Sequence, residues 1–224
     1  MMRITSEDTR IVGDDMIVKG LPTFAVLGIG NGGQAMAGYL ALHGFRVNLW
    51  NRSAGKVDAI NERGGIRLDG AIEGFGVPGL VTADIAQAVS GVEVLMVTVP
   101  ASGHRDVAKA LAPHLREGQT VVLNPGRTGG ALAFRNNLWW AGCDVDVTVA
   151  ETNTFIYASR TIEPGSSHVY GVKQHVALAA LPSNRTYSTL AKLRIAFPQF
   201  VSGENVLATS LDNMGAIFHP VPAL

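Results

Sequence analysis

The chain has 224 residues, with 18 Lys and Arg against 18 Asp and Glu, a pI near 7.0 and a single cysteine. Balanced charge gives no field to attract a nucleic acid or an anionic membrane, so neither is expected as a partner, and a small neutral or anionic ligand fits better. Cys143 alone excludes an internal disulfide and suits a reducing cytoplasm, as a small apolar packing residue.

Residues 1–20 scatter Glu7, Asp8, Asp14 and Asp15 among Arg3, Arg10 and Lys19, without the layout of a signal peptide, and are expected to form a loose N-terminal extension. Residues 20–45 carry no Asp, Glu, Lys or Arg and are long enough to cross a bilayer, but seven glycines, Pro22, Asn31 and Gln34 mark them as the core of a soluble domain. Within them the β-rich run Phe24 to Leu27 breaks into Gly28-Ile29-Gly30-Asn31-Gly32-Gly33 and resumes as the helix-forming segment Gln34 to His43, with Gly44 placed as a C-cap. A strand, a tight turn and a helix are predicted. Gly28 permits the turn, Gly30 lets the backbone approach a pyrophosphate, and Gly33 lets the helix pack on the strand. A purely structural turn would show the same glycines, but the flanking strand and helix favour a dinucleotide site.

A second strand, Phe45 to Trp50, runs into Asn51-Arg52-Ser53. An NAD site usually places a carboxylate there for the ribose 2′-hydroxyl. Here Asn51 takes that place, and Arg52 with Ser53 can hold a 2′-phosphate, so NADP is the expected cofactor, with NAD as the alternative. Arg52 as a solvated surface charge is the structural reading.

A helix is predicted over 55–63, stopped by Gly64-Gly65, then a hairpin over 66–73 around Asp69-Gly70 and a helix over 82–90. The strand Val92 to Val99 ends at Pro100. Strands Thr120 to Leu123 and Val145 to Ala150 alternate with helices over 105–115 and 130–140, predicting an α/β, Rossmann-type, doubly wound and mostly parallel sheet. In such sheets ligand groups lie beyond the carboxyl ends of the strands. That points to Pro100 for the cofactor, and to Arg127, Glu151 and Thr152 as substrate contacts, with structural ion pairing as the other role for Arg127 and Glu151. His104 is expected at the surface, at a helix start, with a substrate-facing role as the alternative. Beyond Arg160 the pattern is less regular, with strands at 167–172 and 174–181 and a helix over 183–197. No metal-ligand spacing is present.

Four stretches together resemble the opine dehydrogenases of the octopine and nopaline type: the glycine loop 28–33; Asn124-Pro125-Gly126-Arg127 with Gly129-Gly130-Ala131-Leu132; Glu151-Thr152-Asn153-Thr154 with Tyr157-Ala158-Ser159-Arg160; and Asn213-Met214-Gly215-Ala216-Ile217-Phe218-His219-Pro220. The resemblance implies an NAD(P)H-dependent reductive condensation, in which an amino acid and a 2-oxo acid form an imine that takes up hydride. It also implies a nucleotide domain followed by an all-helical one, with His219 in a proton-relay dyad with an aspartate of the second domain, and Glu151 near the amino acid.

Histidine suits such a proton transfer near neutral pH, although a lone histidine beside a proline is often structural. On a helix Leu211, Met214 and Phe218 share one face and Asp212, Ala216 and His219 another; Asp212 would lie about 10.5 Å along the axis from His219, too far for a dyad. The expected organisation is an extension over 1–20, a nucleotide domain over 21–204, and the start of a linker or helical domain over 205–224. As the sequence stops at Leu224, the chain is expected to bind cofactor but turn over poorly alone, its C-terminal end covered by the missing helical domain or by a second copy. Two other readings remain: a glycerol-phosphate or 2-ketopantoate type dehydrogenase, disfavoured because no lysine lies in the His219 stretch, and an NADP(H)-binding module or regulatory remnant without catalysis.

Overall fold

The computed structural model describes residues 20–212. The expectations for the N-terminal extension and for Asn213 to Leu224, His219 included, lie outside the described residues.

Strand β1 (Phe24–Leu27) is shut off from solvent at all four positions, as an apolar run must be when it lies mid-sheet with both faces covered. It pairs in parallel with β2 (Val47–Trp50) on one side and β6 (Val94–Val97) on the other. Around this centre, β5 (Leu80–Thr82), β7 (Thr120–Leu123), β8 (Thr148–Thr152), β11 (Val176–Leu181) and β12 (Phe200–Ser202) complete an eight-stranded sheet in the order β12-β11-β8-β7-β6-β1-β2-β5. All neighbours run parallel except β11 and β8. The fold is α/β, with a mostly parallel Rossmann-type sheet.

Side chains alternate between two cores. Phe24 and Val26 join Met96 and Val122 on one face, under α1 (Asn31–Leu42) and α6 (Thr186–Leu193). Ala25 and Leu27 join Leu95 and Val121 on the other, under α4 (His104–Leu111) and α5 (Gly130–Trp140). Three further helices, α2 (Ala54–Arg63), α3 (Ile85–Val89) and α7 (Val206–Leu211), complete the described helices.

A second sheet packs on the outside of α1. Strands β3 (Ile66–Gly70), β4 (Gly74–Gly76), β9 (Tyr157–Glu163) and β10 (Ser166–Val172) form it in the order β4-β3-β10-β9. Its presence explains why α1 has no polar face: Gly33, Gln34, Ala35, Met36, Ala37, Gly38 and Leu40 are all buried, because the helix is covered on two sides. Gly38 is required for that closeness, since a Cβ there would come within 2.9 Å of Ile66 Cγ2.

Several expected boundaries shift. The hairpin exists, with Leu68 opposite Gly74, but Asp69 and Gly70 stay inside β3, paired with His168 and Val169 of β10, and the turn falls at 71–73. Strand β8 starts at Thr148 and includes Glu151 and Thr152, which therefore lie in the strand and not in a loop beyond it. The region after Arg160 is regular, because β10 pairs with β9 on one side and with β3 on the other. The helix expected over 183–197 is a 3-10 turn, Ser183–Arg185, followed by α6. Among the described residues no helix is long and apolar enough to cross a membrane, and no group of three or more His, Cys, Asp or Glu could hold a metal.

Candidate active site

The glycine loop joins β1 to α1, and its three outer glycines have three different tasks. Gly28 has φ +121°, a conformation that only glycine adopts without strain, and its N–H donates to the Trp50 carbonyl at 2.8 Å. A Cβ on Gly33 would collide with the Gly28 carbonyl oxygen and Thr98 Oγ1, so glycine there lets the helix seat against the strand. Gly30 is different: a Cβ there would meet no protein atom within 4 Å. The open space lies at the N-cap of α1, whose first-turn N–H groups have no partner within the helix and whose first turn carries no acidic residue. These features fit the pyrophosphate of a dinucleotide.

Gly30, Asn31 and Gly32 border a cleft of about 620 Å³. Opposite them stand Thr98, Val99 and Pro100 from the end of β6, and Asn124, Pro125 and Arg127 from the end of β7. Thr98 ties the two sides together, its hydroxyl donating to the Leu27 and Gly28 carbonyls at 3.1 and 3.2 Å. Arg127 is the only non-glycine residue with positive φ (62°) among those described, and it is the cation on the wall of the cleft.

The third wall, Phe155, Tyr157 and Ser159, comes from the entry to β9, a strand that the sequence did not reveal. The Phe155 ring occupies the place where a Gly32 Cβ would go, so Gly32 is small for the sake of this wall. Asn31 anchors the wall: its Oδ1 accepts from Thr161 N–H at 2.9 Å and its carbonyl accepts from Ser159 Oγ at 2.9 Å. The Asn31 Oδ1 and backbone carbonyl are thereby committed to the protein, leaving its backbone N–H for a ligand.

Asn51 lies behind the loop, where its Oδ1 accepts the Ile29 N–H at 3.1 Å and its Nδ2 donates to the Ser53 carbonyl at 3.3 Å. Ser53 is the N-cap of α2 without a side-chain capping bond, and Arg52 is exposed, 3.8 Å from Asp106. None of the three borders the cleft itself; they sit at the end of β2, adjoining the start of the glycine loop.

The surface position expected for His104 is corrected. His104 is 6% exposed rather than at the surface, with its ring edge toward Phe134 and its Nε2 without a hydrogen-bond partner among the described residues. Burial holds its pKa below the ordinary imidazole value; a hydrogen bond to the Val99 carbonyl opposes this, and the Arg127 cation adds to it. Glu151 is completely buried, and neither it nor Thr152 lines the cleft. Its Oε2 accepts from Ala131 N–H at 2.7 Å, and its Oε1 accepts from Thr209 and Ser210 hydroxyls at 2.8 and 2.7 Å. Burial raises its pKa, opposed by the bonds from Ser210, Ala131 and Thr209. Thr152 donates to the Leu123 carbonyl at 3.3 Å. In this arrangement both residues hold strands and helices together.

Residues 23–125 match the family model of the NAD-dependent glycerol-3-phosphate dehydrogenase N-terminus. Over 203 residues the chain is 41% identical to an opine dehydrogenase of Arthrobacter sp. (strain 1C), covering 90% of this chain and 56% of that protein. Octopine dehydrogenase with NADH and L-arginine superposes with a TM-score of 0.74 at 23% identity, over 88% of this chain and 52% of the other. Yersinopine dehydrogenase with NADP+ gives 0.73 at 23% identity, over 89% and 51%. The chain thus spans about half the length of the proteins it matches.

Proposed function

We propose that this chain, similar over 90% of its length to an opine dehydrogenase, is the dinucleotide-binding part of an NAD(P)H-dependent enzyme that joins an amino acid to a 2-oxo acid by reducing the imine between them. The observation that carries the reading is Gly30: open space at a helix N-terminus, facing a cleft walled by the ends of β6 and β7. The bound nicotinamide would supply the hydride. The backbone of Gly30, Asn31 and Gly32 would hold the pyrophosphate, with Gly28 and Gly33 shaping the turn. Pro100 and Asn124 would flank the reduced half of the cofactor, excluding water from it, and Arg127 would pair with a substrate carboxylate. His219, which lies outside the described residues, would transfer the proton.

NADP(H) is the favoured cofactor, because Asn51 carries no charge to repel a 2′-phosphate and Arg52 with the uncapped Ser53 hydroxyl can receive one. The nucleotide domain would span residues 21–204, in the cytoplasm. A glycerol-phosphate type dehydrogenase is the second reading, favoured by the family match; that match ends at residue 125, in the half that both enzyme types share, whereas the similarity to opine dehydrogenase runs beyond it.

Titration with NADPH, followed by fluorescence, tests the site. Gly30→Val should fold with a stability change of about 1 kcal/mol or less, as its φ of −97° and ψ of −173° are open to any residue, yet bind no NADPH. Unchanged binding would refute the placement of the pyrophosphate. NADPH consumption with pairs of amino acids and 2-oxo acids, against dihydroxyacetone phosphate, separates the two dehydrogenases; binding without consumption of NADPH under either would favour a non-catalytic module.

A further inference from the structure

We propose that Glu151 is a positioning residue, fastening α7 to the loop that carries Arg127 so that the placement of Arg127 in the cleft depends on how α7 is seated. The loop from Asn124 to Gly130 leaves β7, crosses the mouth of the cleft with Arg127 in a left-handed conformation, and enters α5. Three contacts hold it from below. Gly126 N–H donates to the Thr152 carbonyl at 3.1 Å, Gly129 N–H donates to Ser210 Oγ at 3.1 Å, and Ala131 N–H donates to Glu151 Oε2 at 2.7 Å. The Ser210 hydroxyl in turn donates to Glu151 Oε1, which also accepts from Thr209. The carboxylate therefore sits between two elements far apart in sequence, one oxygen on the N-terminus of α5 and the other on the last turn of α7.

Space around it is closed. A Cβ on Gly126 would overlap the Glu151 carboxylate, and one on Gly130 would lie 3.4 Å from its Oε2. Gly126, next to Arg127, is thus needed to leave the carboxylate its place, whereas a side chain on Gly130 would only touch it. Asp212, the C-cap of α7, makes a second fastening by accepting from Asn153 Nδ2 at 2.6 Å. All three partners of Glu151 are donors, and a carboxylate accepts at both oxygens and so can receive them together. A glutamine in its place would turn an N–H against one of them.

The consequence rests on the role proposed above for Arg127. If a ligand pairs with Arg127, its affinity depends on the seating of α7, and the dependence passes through Glu151 and Ser210. A carboxylate that served only stability would lower the melting temperature without altering Arg127's share in binding.

A double-mutant cycle distinguishes these. Affinities for NADPH, and for pyruvate on the NADPH complex, are measured by calorimetry in the wild type, Glu151→Gln, Ser210→Ala, Arg127→Ala and the two doubles with Arg127→Ala. The cycle is scored on whichever ligand Arg127→Ala weakens. Residues joined in one hydrogen-bond network couple in their effects, so Glu151→Gln should weaken that ligand about tenfold and Ser210→Ala about threefold in the wild type, and each less than about twofold when Arg127 is already alanine. Equal factors in both backgrounds would overturn the proposal, as would an Arg127→Ala variant that binds both ligands normally. Should Glu151→Gln fail to fold, the Ser210→Ala arm decides alone. Failure of the wild type to bind NADPH or pyruvate at all would overturn the function proposed above as well, which sets that result apart from a failure of the coupling.

Discussion

At the scale of single residues, the outer glycines of the loop look alike in sequence and differ sharply in consequence. Gly33→Ala would press a methyl group against the Gly28 carbonyl, a backbone atom that can move only by shifting β1 against α1. Overpacking of this kind costs about 1–3 kcal/mol, so a fall in urea midpoint should accompany any loss of binding, in contrast to Gly30→Val. Arg52 offers a different test. Its 3.8 Å pairing with Asp106 joins two exposed side chains and contributes little to folding, so Arg52→Ala reports on the ligand. NADPH binding should weaken by about 1.5–3 kcal/mol if a charged hydrogen bond to the 2′-phosphate is lost, while NADH binding hardly changes. Equal losses for both cofactors would contradict the assignment. His104 sets a pH dependence. Its pKa in the folded chain lies below the ordinary value of 6.5, so the unfolded chain takes the proton first. The stability it contributes is present above pH 6.5 and is lost as the pH falls through the lowered folded value. Glu151, raised from 4.5, acts in the opposite sense, contributing stability at low pH that fades as the pH rises through its folded value. The wild type should therefore lose more stability than His104→Gln between pH 7 and 5 in urea titrations, a difference from which the Glu151 contribution cancels.

At the scale of elements, α1 organises the molecule because it is packed on both sides. Gln34, polar in a helix that faces only apolar layers, makes sense once the second sheet is present. Its Nε2 donates to the Glu163 and Ser166 carbonyls at 3.1 and 2.8 Å and to Ser167 Oγ at 2.8 Å, and its Oε1 accepts from Gly165 N–H at 3.0 Å. A single amide thus satisfies the turn between β9 and β10. Gln34→Leu would strand those groups without water, and a buried polar group left unmade costs about 1–3 kcal/mol. Amide hydrogen exchange should accelerate first at Gly165, whose donor loses its acceptor, and less in β1. Uniform acceleration across both sheets would show that Gln34 is not a local clamp.

At the scale of the whole molecule, the small sheet has no core of its own apart from α1, and the cleft borrows a wall from it through Phe155, Tyr157 and Ser159. The two sheets should therefore unfold together. Far-ultraviolet circular dichroism and the fluorescence of Trp50, which is buried in β2 of the main sheet while Trp139 and Trp140 are exposed, should give coincident urea transitions in a Trp139→Phe, Trp140→Phe background. Separate transitions would show the small sheet to be an independent unit.

Local chemistry was legible in the sequence wherever neighbouring residues decided it. The run Phe24 to Leu27 followed by glycines specified a strand, a turn and a helix, because backbone freedom at Gly28 and close approach at Gly33 are properties of a short segment. The βα alternation as far as Trp140 likewise announced a parallel sheet. Pairing partners distant in the chain were not legible. Asp69-Gly70 carries the local signature of a turn, yet hydrogen bonding to β10, about 100 residues on, keeps it in a strand. Glu151 and His104 read as strand-end and surface residues because no local pattern discloses that α7 and α5 close over the one, or that Phe134 and the Val99 carbonyl enclose the other. Whether a charged side chain faces a ligand or is enclosed among donors depends on which elements pack against its strand, and that is decided only when the chain has folded.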